Sequence, residues 1–249
     1  AVAWFLAPAA AFALFILITW FHWGQGDVYA LVALAEADHL RSRAQRLGTV
    51  VVRGGLPMLV PLLAFPEWYR RVATTLVGLF APDAVAVLSP AFRPDVRLSL
   101  AIAYGAVVVG TLSVGYARAT DSAPWRLDAA ETLGLVAYFA LVPPVLAIGV
   151  YFCLWHSLRH IGRLLLVDDG ATAALGDGDS TAAFERFARD AAPLTLVSLA
   201  LLAGLALLVP NPPETVPEWV GLYLVFIAVV TLPHVVVVTI MDGEQRVWA

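Results

Sequence analysis

YFCLWHSLRH, residues Tyr151 to His160, lies inside an apolar run long enough to cross a bilayer and carries two histidines four positions apart. On an α-helix that spacing puts both imidazoles on one face, about one turn apart. A metal-binding or ionisable side chain at bilayer depth is costly, and it usually faces the bundle interior and serves a function. Two neutral imidazoles sharing a face suit a common metal ion. A pair at the membrane interface, beside Trp155 and Arg159, fits the same ten residues equally well. The rest of the chain decides between the two.

The chain has 249 residues, of which 61% are hydrophobic and only 14% charged. Soluble domains carry about 25% charged residues, and several apolar runs here reach transmembrane length. The fold class is therefore all-α: a polytopic transmembrane helical bundle of about seven spans, multi-pass in the cell membrane, with residues 1–249 forming one domain. All fifteen basic residues are arginine. Without lysine there is no retinal Schiff base and no P-loop nucleotide site, so the bundle is not a retinal photoreceptor. No nucleic-acid partner is expected. The single cysteine, Cys153, rules out an intrachain disulfide and reads as a packing residue. Residue 1 is an alanine that opens directly into an apolar stretch, so the chain is expected to begin inside a longer protein.

In chain order, Ala1 to Phe21 is the first span and ends in TWFHWGQGD, with His22 at its C-terminal end. Gly24 and Gly26 are expected to end or loosen that helix. Asp27 is placed either to orient an imidazole from behind, as carboxylates do for metal-bound histidines, or to start the next helix. Val28 to Leu47 is amphipathic, and His39, among its charges, reads as a surface residue. Gly48 to Phe65 is the second span, with Arg53 expected to snorkel to the interface. A short amphipathic helix near Trp68 to Phe80 and a proline-rich connection precede the third span, Leu98 to Ala117.

From Ala129 to Leu166 the apolar pattern runs almost unbroken. A single helix that long would measure about 55 Å against a hydrocarbon core of about 30 Å. Pro143-Pro144 is therefore expected to turn a hairpin between spans four and five. Val167 to Ala191 is polar and lacks EF-hand spacing, which argues against calcium. Pro193 to Val209 is span six and Trp219 to Met241 span seven, with His234 deep inside it.

Arginine distribution orients the bundle. Arg159, Arg163, Arg186 and Arg189 cluster between spans five and six, and that side is assigned to the cytoplasm. Counted from the outer ends, His156 and His160 then lie about 18–24 Å in and His234 about 22 Å in. His22 falls near the inner end of span one. Four histidines on three helices share a level, which favours one metal site over scattered interface residues. An all-histidine site suits Fe(II), Cu, Ni or Zn and argues against Zn-thiolate or Fe–S chemistry. Trp20, Phe21, Trp23, Tyr138, Phe139, Tyr151, Phe152 and Trp155 are candidates either for an apolar substrate tunnel or for ordinary packing.

FHWGQGD, YFCLWHSLRH and TLPHVVVV, in this order and separation, resemble the Brp/Blh family of bacteriorhodopsin-related membrane β-carotene 15,15′-dioxygenases, over nearly the whole chain. The resemblance implies Fe(2+) and cleavage of the central double bond of β-carotene with O2 to two retinals. It implies iron ligation by His22, His156 and His160, with His234 in a matching proline–histidine motif and Asp27 at the acidic end of the first motif. The lipid bilayer and, further, a retinal-binding opsin are the implied partners. The family pattern has one more ligand histidine before the FHWG segment, and residues 1–21 contain none. Either the chain is truncated, or His234 completes the site, or this copy is inactive, and truncation is the expectation. Two rival classes stand beside this one: a b-type haem protein with bis-histidine ligation, and a non-enzymatic transporter or assembly factor for a retinal protein. Coupled transport would need carboxylates within the spans, which the pattern scarcely provides.

Overall fold

The computed structural model describes every residue except 246 and 249, and among the described residues there is helix but no strand. The order is α1 (Val2–Leu6), α2 (Pro8–Tyr29) continuing into a π-helical turn (Ala30–Leu34), a 3-10 turn (Asp38–Leu40), α3 (Arg43–Ala64) and α4 (Pro66–Gly78). A 3-10 segment (Pro82–Phe92) leads to α5 (Pro94–Arg118) and α6 (Ser122–Leu141). Then come α7 (Pro144–Val150), a π-helical stretch (Tyr151–His156) and α8 (Ser157–Val167). The chain ends with α9 (Asp169–Gly176), α10 (Ser180–Leu208) and α11 (Val216–Glu244).

Local chemistry sets these boundaries. Ser42 accepts the Gln45 backbone N–H at 3.2 Å to open α3, and Asp121 and Asp179 do the same for α6 and α10. Thr215 and Glu218 form a reciprocal capping box at the start of α11. Pro8, Pro66, Pro94 and Pro144 occupy first helical positions, where the missing N–H costs nothing. The Ala171 N–H and the Arg186 guanidinium hold the Asp168 carboxyl below its ordinary range at the start of α9.

Five helices among the described residues are long and apolar enough to cross a membrane: α2 with its π extension, α3, α5, α10 and α11. The expected hairpin is present, with α6 ending at Leu141 and its return beginning at Pro144. Its two arms, the expected spans four and five, are the less uniform ones. α6 carries Arg126, Asp128 and Glu131, and the return is a continuous α–π–α helix. The polar stretch from Val167 to Ala191 is largely helical, forming α9 and the first turns of α10.

The expectation that Gly24 and Gly26 end the first span is corrected: α2 passes through both. Gly24 is there because α2 and α3 approach almost backbone to backbone. A Cβ on Gly24 would stand 2.3 Å from Val50 O, and one on Gly54 would stand 1.8 Å from Trp20 O. Contacts this close cannot be relieved by side-chain rotation. Gly54→Ala is therefore expected to cost more than the roughly 1–3 kcal/mol of ordinary overpacking. Detergent-phase thermal unfolding checks this, and an unchanged transition would contradict the close approach.

Two apolar clusters flank the α2–α3 pair. Trp23, Leu56, Tyr104, Phe139, Ala147 and Tyr151 join α2, α3, α5 and the hairpin. Trp4, Phe12, Leu76, Leu222 and Val225 join α1, α2, α4 and α11. By contrast, α10 buries only Ala183 and leaves a nearly continuous apolar surface, as a lipid-facing helix does.

Candidate metal centre

His22 projects from the middle of α2, His156 from the end of the π-helical stretch and His160 from the first turn of α8. His22 and His156 are buried and His160 half-buried. Their rings meet at centroid distances of 4.8 Å (His22–His156), 5.0 Å (His22–His160) and 4.4 Å (His156–His160). One nitrogen from each lies within 4.8 Å of the others. From α11, one residue after Pro233, His234 brings its ring to 4.7 Å from His22 and 5.5 Å from His160 while staying exposed on its outer side. Four imidazoles from three stretches of chain thus converge, as the matched depths predict.

The donor set fits a metal ion. His156 Nε2 and His22 Nε2 face each other at 3.1 Å, while His22 Nδ1 and His160 Nε2 are buried without a hydrogen-bond partner. Buried polar atoms without partners are rare in native structures, and an ion between the rings would satisfy His160 Nε2. The Zn–N length of about 2.0–2.1 Å gives a ligand sphere about 4.2 Å across, close to the span of these nitrogens. No thiolate or carboxylate belongs to the group. Cys153 is exposed on the outer face and so is neither a ligand nor, as expected from sequence, a core packing residue. Gly26 keeps the centre open on the α2 side, since a Cβ there would sit 3.2 Å from His160 Nε2.

Asp27 does not touch an imidazole. Its Oδ1 accepts from Arg159 at 2.8 Å and from Trp155 Nε1 at 3.2 Å, the residues immediately before His160 and His156. It fastens the histidine-bearing helix to α2 instead of orienting one ring. Arg159 also lies over the Trp155 ring at 3.8 Å and donates to Glu131 at 2.8 Å.

Behind this clamp, two sequence expectations are corrected. Arg53 does not snorkel: it is fully buried, donates to Asp128 at 2.8 Å and Glu131 at 2.9 Å, and stands 3.5 Å from Asp27. His39 is not a surface residue: it is 1% exposed and its Nε2 lies 3.1 Å from Asp128. The spans also hold more acid than expected, with Asp27, Asp128 and Asp242 all buried. Each is paired, Asp242 with Arg163 at 2.7 Å, so none is left free for carrier chemistry. Sequence reading missed Arg53, Asp128, Glu131, Arg163 and Asp242 as part of the site's scaffold. A usable signal was present, because charges recur at bilayer depth on several spans and such charges pair with one another.

The aromatic candidates divide by position. Trp23 and Phe152 pack on His156 at 5.9 and 6.0 Å, and Tyr151 packs on Trp23 at 5.1 Å. Trp20 turns away to Tyr104 and the Val51 carbonyl, Tyr138 donates to Ala147 O, Phe139 is core, and Phe21 is exposed. An open apolar groove of about 520 Å³ runs between α6 and the π-helical stretch, walled by Leu135, Tyr138, Tyr151, Leu154 and Trp155.

An all-α chain of membrane-length helices closing around converging imidazoles defines the class: a helical bundle with a candidate metal centre inside it. The chain belongs to the β-carotene 15,15′-dioxygenase family, whose model matches residues 1–242. It is 50% identical over 247 residues to a Halobacterium salinarum protein named "Probable beta-carotene 15,15'-dioxygenase Blh", covering 99% of this chain and 71% of that one. It is 39% identical over 259 residues to the same organism's "Probable beta-carotene 15,15'-dioxygenase Brp", covering 98% of this chain and 71% of that one. No solved structure matches.

Proposed function

We propose that this protein cleaves the central double bond of β-carotene with O2, giving two molecules of retinal, at a centre held by His22, His156 and His160. The atoms balance: one C=C bond is broken, and each carbon takes one oxygen atom of O2 to become an aldehyde. The observation that carries the reading is the convergence of three histidine nitrogens within 4.8 Å inside a family member's helical bundle. Bound Fe(2+) would supply the redox chemistry that activates O2. His234, in ring contact with two of the three, is proposed to complete the donor set.

The remaining residues position and exclude. Trp23 and Phe152 cover His156 with apolar surface, which keeps water from that side and suits a hydrocarbon polyene. Asp27, through Arg159 and Trp155, fixes the helix from which both His156 and His160 project. Five membrane-length helices support a multi-pass location in the cell membrane, where β-carotene partitions and from which retinal can pass to a retinal-binding opsin. Haem fits less well, because a macrocycle between two axial imidazoles would need the space that the other two rings fill.

Purified protein supplied with Fe(2+) and β-carotene is expected to bind iron without a Soret band and to yield retinal as the sole chromatographic product. A Soret band, or longer apocarotenals in place of retinal, would overturn the assignment.

A further inference from the structure

Gln25 is fully buried on α2, three residues beyond His22 and therefore on the same helix face. Its Nε2 donates to Asp242 Oδ2 at 2.7 Å and to Thr239 Oγ1 at 3.1 Å. Both acceptors are committed to that role. The Thr239 hydroxyl donates its own hydrogen to Val235 O at 2.8 Å, and Asp242, paired with Arg163, offers only acceptor oxygens. The amide nitrogen must then face α11, which leaves Oε1 as an acceptor pointing elsewhere.

That Oε1 has no partner in the structure, and neither does His22 Nδ1. The two side chains are neighbours on α2, three residues apart along one face. On its other edge, His22 Nε2 faces His156 Nε2 at 3.1 Å. Imidazoles that ligate metals almost always donate their second N–H to an acceptor behind them, which fixes tautomer and ring orientation. The two unpaired atoms are therefore complementary: an N–H to give and a carbonyl to receive it.

We propose that Gln25 is a positioning residue for the centre, accepting the His22 Nδ1–H and thereby holding the His22 Nε2 lone pair toward the other histidines. This rests on the reading of the cluster as a metal centre. Asp242 extends the device, since one carboxylate anchors the Gln25 amide from α2 and the Arg163 guanidinium from α8. Arg163 itself follows His160 by three residues. The orientation of the α2 ligand is in this way tied to the helix carrying the other two.

The test is titration of the purified full chain with Co(2+), followed by visible absorption, together with imidazole ¹⁵N NMR of the metal-free protein. Gln25→Leu is expected to weaken Co(2+) binding about 10–100-fold, the range for losing such a partner. In the metal-free wild type, the imidazole signal removed by His22→Asn is expected to be the Nδ1–H tautomer, and in Gln25→Leu that preference is expected to be lost. Unchanged Co(2+) affinity in Gln25→Leu would overturn the proposal. Should that variant not fold, the wild-type spectrum alone decides, because an Nε2–H tautomer at His22 is incompatible with it. Failure of the wild type to bind Co(2+) would instead sink the metal-centre reading on which it depends.

Discussion

Alanine at His156 or His160 is expected to reduce retinal formation from β-carotene to background, and to strip the protein of tightly bound metal. Loss of a residue that merely orients a ligand costs metal affinity 10–100-fold. Loss of a ligand from a three-nitrogen group should cost more than about a hundredfold. His156 is the more severe site, being buried, 3.1 Å from His22 Nε2 and covered by Trp23 and Phe152. Cys153→Ser, three residues away on the exposed face, is expected to leave turnover and metal content unchanged. Product chromatography and metal analysis on the same preparations check both. Retinal production by His156→Ala at the wild-type rate would show that these imidazoles do not hold the reacting centre.

The second large effect concerns Arg53. Arg53→Met is expected to destabilise the bundle by about 3–5 kcal/mol, because it leaves the buried Asp128 without its arginine and the half-buried Glu131 with Arg159 alone. Arg93, whose pair with Asp95 is exposed, is the contrasting case, and Arg93→Ala should leave stability unchanged. Denaturant unfolding in detergent separates them. An Arg53→Met protein as stable as wild type would mean that the buried network is not holding α3 to α6.

The contrast between these sites explains what was legible in the sequence. His156 and His160 could be found because a four-residue spacing is a local property, and His22 and His234 joined them through helix direction and depth alone. The hairpin at Pro143 followed from length, since no bilayer accommodates a straight helix of that many residues. Arg53 and His39 were misplaced for the opposite reason. Their partner Asp128 lies 75 and 89 residues further along, and a charge without a visible partner defaults to the membrane surface. Gly24 shows the same limit in the backbone. A glycine reads as a helix breaker until the neighbouring helix, here at Val50, is known to need the missing Cβ. Asp27 was legible as important but not in its role, because an acid five residues after a histidine does not reveal that its partners come from Trp155 and Arg159.

The widened turn from Tyr151 to His156 has one more consequence. The wide turn takes up one residue's worth of rotation, about 100°, so a 3.6-residue pattern read through α7 slips by one position in α8 although they form one continuous rod. Removing a single residue between Val150 and Trp155 would restore uniform winding through nearly the same total angle, and so is expected to leave both imidazoles aimed as they are while closing the wide turn.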